Sequence, residues 1–245
     1  MIINDDLSAS GIYGVNMYAL GIPFTQYVDD YLPTDNGVVP MFANIGKDGS
    51  IWGAIVEKAY AKRYGNYQHM EGGWMATGVA NLNGSPFKTY LHYELSDDDE
   101  IWAILSTHDQ DKDIMTAGTT NDNKETNLPG GHAYTIIGIT TVQKNGEEVR
   151  LIKVRNPWGS EEYTGPWSDS SSEWTPELRA EVASKLGGAN KSNDGIFYMD
   201  ITTYRTNFTE TQINQDTSAW KMSHFLMLSD SKSETVNEDN CTGCT

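Results

Sequence analysis

The sequence predicts an α+β protein, with strands and a helix in its first part and a mainly antiparallel β region in its second. Two strand-like runs, His132 to Val142 and Glu148 to Arg155, are joined through Asn145-Gly146. That pair suits a two-residue hairpin turn because both of its positions need positive φ. Upstream, Ile51, Ile55, Ala59 and Arg63 recur at helical spacing, with Trp52, Val56 and Tyr60 beside them. The chain has 245 residues, 38% of them apolar and 11% aromatic, which is enough to fill a substantial core.

In chain order, Gly11 to Tyr18 alternates in the strand manner, and Phe24 to Asp30 repeats the pattern before Leu32-Pro-Thr-Asp-Asn-Gly breaks it. The helix is expected from Ser50 to about Tyr64, with Ser50 as N-cap and Gly65 as its stop. Gly72-Gly73 and Gly84-Ser85-Pro86 mark a loop-rich passage that reads as a hinge. Ser96-Asp-Asp-Asp-Glu then leads into Ile101-Trp-Ala-Ile-Leu, where acids suit the positive end of a helix dipole. After the hairpin, Thr175-Pro-Glu-Leu opens a helix that Gly187 closes, and Phe197 to Ile201 forms one more strand. From Ser229 the chain is polar and aperiodic, which reads as a disordered tail.

Charge narrows the function. With 17 Lys+Arg against 34 Asp+Glu, the net charge is −17. Nothing basic is gathered to neutralise phosphates, so a nucleic-acid partner is excluded, and anionic membrane surfaces are disfavoured by the same sign. No apolar run approaches the roughly 20 residues that span a bilayer. Met1-Ile-Ile-Asn-Asp-Asp lacks the opening of a secretory signal, and the only cysteines are Cys241 and Cys244. A disulfide framework is therefore not expected, which suits a cytoplasmic protein. Cys241-Thr-Gly-Cys244 lacks the second ligand pair of a zinc site.

The hairpin brings His132 near Asn156, 156 − 132 = 24 positions apart. An imidazole acting as a general base needs one tautomer and one orientation, and a neutral Asn carbonyl supplies both without adding charge. A turn at Asn145-Gly146 makes opposed residues sum to 291, which sets Asn156 against Thr135. That odd offset from His132 puts the two side chains on opposite faces of a regular ladder, so they meet only if a bulge intervenes. By this geometry alone, a strand-end histidine and a strand-ending Asn156-Pro157 explain the pair at least as well.

The surrounding residues add a resemblance. Gly131-His-Ala-Tyr, Leu151-Ile-Lys-Val-Arg-Asn-Pro-Trp-Gly and Tyr163-Thr-Gly-Pro-Trp-Ser-Asp resemble, in order and spacing, the calpain family of papain-like cysteine proteases. Tyr27-Val-Asp-Asp-Tyr-Leu-Pro-Thr, Ile51-Trp-Gly-Ala-Ile-Val-Glu-Lys and Phe197-Tyr-Met look like other segments of the same core, so the likeness covers roughly residues 11–205. It implies a papain-like fold in which residues 1–72 are the C-terminal part of an incomplete first lobe. Residues 73–205 would be a β-rich second lobe, and 206–245 a connector and tail. It also implies a calcium-dependent intracellular endopeptidase acting on protein substrates. His132 takes the place of the base, Asn156 that of its orienting partner, and Trp158 that of the tryptophan shielding their bond.

The family's nucleophile is a cysteine on an upstream helix, in a Gln-Gly…Gly-Asp-Cys-Trp segment that this sequence does not contain. Cys241 and Cys244 lie in the polar tail, away from the matched core. Two expectations follow from the resemblance. Either the chain is part of a longer protease and needs its N-terminal segment as a partner, or it is a cysteine-less, non-catalytic binding or regulatory module. The family's calcium ligands match Glu57 in the first lobe and Glu162, Asp169 and Asp194 in the second. One further family carboxylate is replaced by Ile196, which implies a weakened second-lobe site.

Overall fold

The structure, a computed structural model, describes residues 9–35, 37–121, 125–160, 163–187 and 194–220. It is mixed α+β, as the sequence predicts. Strands β1 (Ile12–Ala19) and β2 (Ile22–Asp29) form a hairpin. Its Val15, Met17 and Val28 pack on Ile55, Val56 and Ala59 of helix α1 (Trp52–Tyr64). The short pair β3 (Thr34–Asp35) and β4 (Val39–Pro40) follows the hairpin. Ser50 does not cap α1. Its amide donates to Asp48 Oδ1 and its carbonyl accepts from Gly46, so a turn over 46–50 holds it, and Ile51 takes the N-cap position without a side-chain bond.

The expected hinge contains a helix, α2 (Met75–Asn83), which ends on Gly84 at φ 77°. Gly78 near its middle lowers its helix propensity and hides it from a periodicity search. Hydrogen bonds tie α2 down on both sides. Asn81 Nδ2 donates to the Tyr60 and Tyr64 hydroxyls of α1, at 3.0 and 2.8 Å. The Ala76 amide donates to Gln212 Oε1 and the Ala76 carbonyl accepts from Asn214 Nδ2, at 2.8 and 2.9 Å.

The main sheet has six antiparallel strands. Its members are β5 (Phe87–Leu91), β6 (Ile114–Gly118), β7 (Ala133–Lys144), β8 (Glu147–Arg155), β9 (Ile196–Asp200) and β10 (Glu210–Asn214), in the order β5-β10-β6-β7-β8-β9. Asn145 and Gly146 have φ 55° and 86°, the turn geometry their sequence predicts. On one face, Ile101 and Leu105 of α3 (Asp98–Gln110) and Ile201 and Tyr204 of α5 (Ile201–Asn207) pack on Tyr134, Ile136, Ile152 and Val154. On the other, Leu178 and Val182 of α4 (Pro176–Leu186) cover Val142, Leu151 and Tyr198. Asp97 caps α3 by accepting from the Glu100 amide, and Thr175 caps α4 by accepting from that of Leu178.

The boundary expected at residue 205 is corrected by β10. Residues 210–214, assigned to a connector, form an interior strand between β5 and β6. Its buried residues include polar Thr211, Gln212 and Asn214, so it carries no apolar alternation to announce it. The tail from Ser229, with Cys241 and Cys244, lies outside the described residues.

Candidate active site

The site is built where β7 begins and β8 ends. Along most of the hairpin, opposed residues sum to 291, as in Gly138↔Lys153 and Lys144↔Glu147. Beyond Ile137 the register shifts, and Ile136↔Val154 and Thr135↔Arg155 sum to 290. Ile137 is the extra residue of a β-bulge and is 45% exposed. The bulge lets Ile136 and Ile139, three apart, serve the same core. Continued by one step, the shifted register sets Asn156 against Tyr134, an even offset from His132, so both side chains share a face.

There His132 Nε2 lies 2.9 Å from Asn156 Oδ1. Asn156 is fully buried, and the same oxygen accepts the Trp158 amide at 3.0 Å. That second donor fixes which end of the amide is oxygen, and therefore places the imidazole proton on Nε2. Nδ1 is left with its lone pair and, among the described residues, no hydrogen-bond partner, as a proton acceptor requires. Asn156 Nδ2 is buried without a partner among the described residues.

Aromatic rings hold the imidazole from two sides. Tyr134 meets it edge-on at 4.7 Å, and Trp158 lies over it at 4.2 Å with an interplanar angle of 42°. Trp158 is 58% exposed, so one face of its ring lies against His132 while the rest meets water.

Two backbone features behind the pair carry no local sequence signal. The Asn156 amide donates to the Gly195 carbonyl at 2.7 Å, and a Cβ on Gly195 would stand 2.9 Å from the Asn156 carbonyl oxygen. Gly195 has φ 79°, so a side chain is disfavoured there by conformation and by space. On the other side, buried Thr119 contacts the backbone of His132. Only the fold brings either residue to the site.

Among the described residues matched to calcium ligands, Glu57 lies apart from Asp169 and Asp194. Glu57 Oε2 accepts the Ala43 amide at 2.8 Å, beside the stacked rings of Phe42 and Tyr67. Asp169 is buried, and Asp194 Oδ1 accepts the Ile196 amide at 3.0 Å. Burial raises the Tyr198 phenol to about 12, and the charges of Asp169 and Asp194 add to that rise, so both acids neighbour one point. Glu162 lies outside the described residues. Among the described residues, the only group of three acidic or histidine ligand atoms close enough to share a cation is His108, Asp111 and Asp113, none of them a predicted ligand. Its His108 Nδ1 pairs with Asp113 Oδ2 at 2.6 Å.

Comparison with known proteins decides the family. The family model described as "Calpain family cysteine protease" matches residues 2–215. The chain belongs to the calpain family. It is 34% identical over 201 residues to human Calpain-14, covering 81% of this chain and 29% of that protein. It is 33% identical over 193 residues to Calpain-9 of Rattus norvegicus, covering 76% and 27%. Against the calpain-type cysteine protease DEK1 of Arabidopsis thaliana the figures are 30% over 219 residues, covering 85% and 10%. The chain thus spans between about a tenth and three-tenths of these calpains. Among the described residues no helix is long and apolar enough to cross a membrane.

Proposed function

We propose that this chain supplies the base and orienting wall of a cytoplasmic calpain-type cysteine endopeptidase that cuts extended protein segments. The observation that carries the reading is the bond from His132 Nε2 to the buried carbonyl of Asn156, with Nδ1 left to accept a proton. A cysteine thiol placed against Nδ1 transfers its proton there, and the thiolate attacks the peptide carbonyl. His132 then passes that proton to the departing amine, which leaves an acyl-enzyme, and later takes one from the water that hydrolyses it. Asn156 holds the ring throughout and lowers the energy of the imidazolium with its carbonyl dipole. The thiol comes from a cysteine-bearing partner segment, since cysteine occurs in these 245 residues only at 241 and 244. The division into a first lobe through residue 72 and a β-rich second lobe belongs to the same reading.

The cysteine count also favours a second reading, in which the cleft binds protein segments without cutting them. The test is casein cleavage by the product of the complete transcript. Cleavage abolished by His132→Ala supports the protease, and casein binding without cleavage supports the second reading. Cleavage that survives the substitution overturns the role given to His132.

Calcium dependence is a finer part of the proposal. Asp169 and Asp194 offer the oxygen donors a hard cation takes, and would hold it with Glu162 and backbone carbonyls, supplying charge that draws these loops together. Calcium at about ten times its dissociation constant raises stability by roughly 1.4 kcal/mol. A melting temperature indifferent to millimolar calcium, or a rise that persists in Asp194→Asn, refutes this part.

A further inference from the structure

We infer that Thr119 is a positioning residue for His132, its hydroxyl standing in for the backbone at the rung of the sheet from which the imidazole projects. The inference rests on the reading of His132 as the general base and names the device that sets its place.

Strands β6 and β7 pair with residues summing to 251, from Met115↔Ile136 to Gly118↔Ala133. The next rung would be Thr119↔His132. Half of it forms in the ordinary way, since the Thr119 amide donates to the His132 carbonyl at 3.0 Å. The other half differs. The His132 amide donates to the Thr119 hydroxyl, at 3.1 Å. The hydroxyl passes its own hydrogen to the Pro129 carbonyl at 2.6 Å, so it both accepts and donates, and Thr119 is 5% exposed.

This substitution matters because of what precedes His132. Gly131 has φ 63°, a left-handed turn that leads the chain away from the sheet. With the side chain as acceptor, the Thr119 hydroxyl ties Pro129, before that turn, to His132, after it. One hydroxyl thereby fixes both ends of the turn and the Cα from which the imidazole reaches Asn156. The base of the clamp is itself held. The Thr209 amide donates to the Gly118 carbonyl at 2.9 Å, and the Thr120 and Thr209 hydroxyls are 2.8 Å apart. The end of β6 is thus held between β10 and β7, and an imidazole must be placed to within about half an ångström to work as a base.

Thr119→Val keeps the shape and removes the hydroxyl, whereas Thr119→Ser keeps the hydroxyl and removes a methyl group. Backbone exchange and imidazole spectra are read by NMR on the chain as it stands, without any need for cleavage. In Thr119→Val the His132 amide should exchange roughly tenfold faster or more, the effect of an unsatisfied donor. Its Nε2–H signal should broaden or vanish, while protection in β8 and β9 stays unchanged. Thr119→Ser should restore both His132 signals. Two results overturn the inference: His132 signals in Thr119→Val that match the unsubstituted protein, or signals in Thr119→Ser as disturbed as in Thr119→Val. The serine arm keeps the test decisive if the valine variant does not fold. A well-held His132 in a complete-transcript product that cleaves no casein refutes the proposed protease and leaves this inference standing.

Discussion

Replacing Asn156 by alanine tests the site at its buried centre. Its Oδ1 accepts two N–H donors, His132 Nε2 at 2.9 Å and the Trp158 amide at 3.0 Å. Leaving a buried donor unsatisfied costs about 1–3 kcal/mol. His132 is only part-buried, so water can reach its N–H and its share falls at the low end. One change acts the other way. Asn156 Nδ2 is buried without a partner among the described residues, and deleting it offsets about 1 kcal/mol. The balance is a loss of about 2 kcal/mol, of which the bond to His132 is roughly half. Urea unfolding reads the total. Long-range proton–nitrogen spectra of the imidazole read the part that concerns function, since a ring no longer held by a carbonyl exchanges its Nε2 proton faster and samples both tautomers. A variant within about 0.5 kcal/mol of the parent, with His132 still in its Nε2–H form, would refute the claim that Asn156 orients the base.

Three further outcomes are expected. Gly195→Ala forces a Cβ to within 3.0 Å of Gly159 Cα and 2.9 Å of the Asn156 carbonyl oxygen at a left-handed φ, and backbone cannot swing aside. It should cost at least about 2 kcal/mol and lower the melting temperature by roughly 4–8 °C, and a shift under a degree contradicts this packing. Burial holds His92 neutral at a pKa of about 4, with Nδ1 donating to the Phe208 carbonyl and Nε2 accepting from Thr211. Its folded pKa lies below the unfolded value, so its contribution is complete above pH 6.5 and is lost as the pH falls towards 4. That loss is on the order of 3 kcal/mol, and urea midpoints of His92→Gln should lack this part of the slope. Leu20 sits at φ 51° in the β1–β2 turn with its side chain wholly in solvent, so Leu20→Asn should stabilise the protein by about 0.5–1 kcal/mol in the same assay.

Where local chemistry decides, the sequence was readable. Thr175 and Pro176 announce α4, the acids at 97–100 announce α3, and Asn145-Gly146 announces its hairpin, because caps and turns are satisfied within a few residues. Helix α2 and strand β10 were missed because each is held from afar. The Ala76 amide finds its acceptor 136 residues along the chain, in Gln212. A buried strand containing Thr211, Gln212 and Asn214 has no apolar pattern, since its polar side chains bond inside the protein, Gln212 and Asn214 to the backbone of Ala76 and Thr211 to His92.

The candidate site divides along the same line. By itself the sequence offered candidates and a condition: His132 and Asn156 at the open end of one hairpin, able to meet only across a bulge. Residue identities and turn chemistry are enough for that, because strand faces alternate with period two. Only the tertiary structure decided that the bulge falls at Ile137, where the core takes both Ile136 and Ile139 and leaves Ile137 outside. It alone set Thr119 and Gly195 behind the pair, through contacts that close 13 and 39 residues apart. Such contacts depend on the packing of whole strands, and packing is a property of the assembled core rather than of any segment read alone.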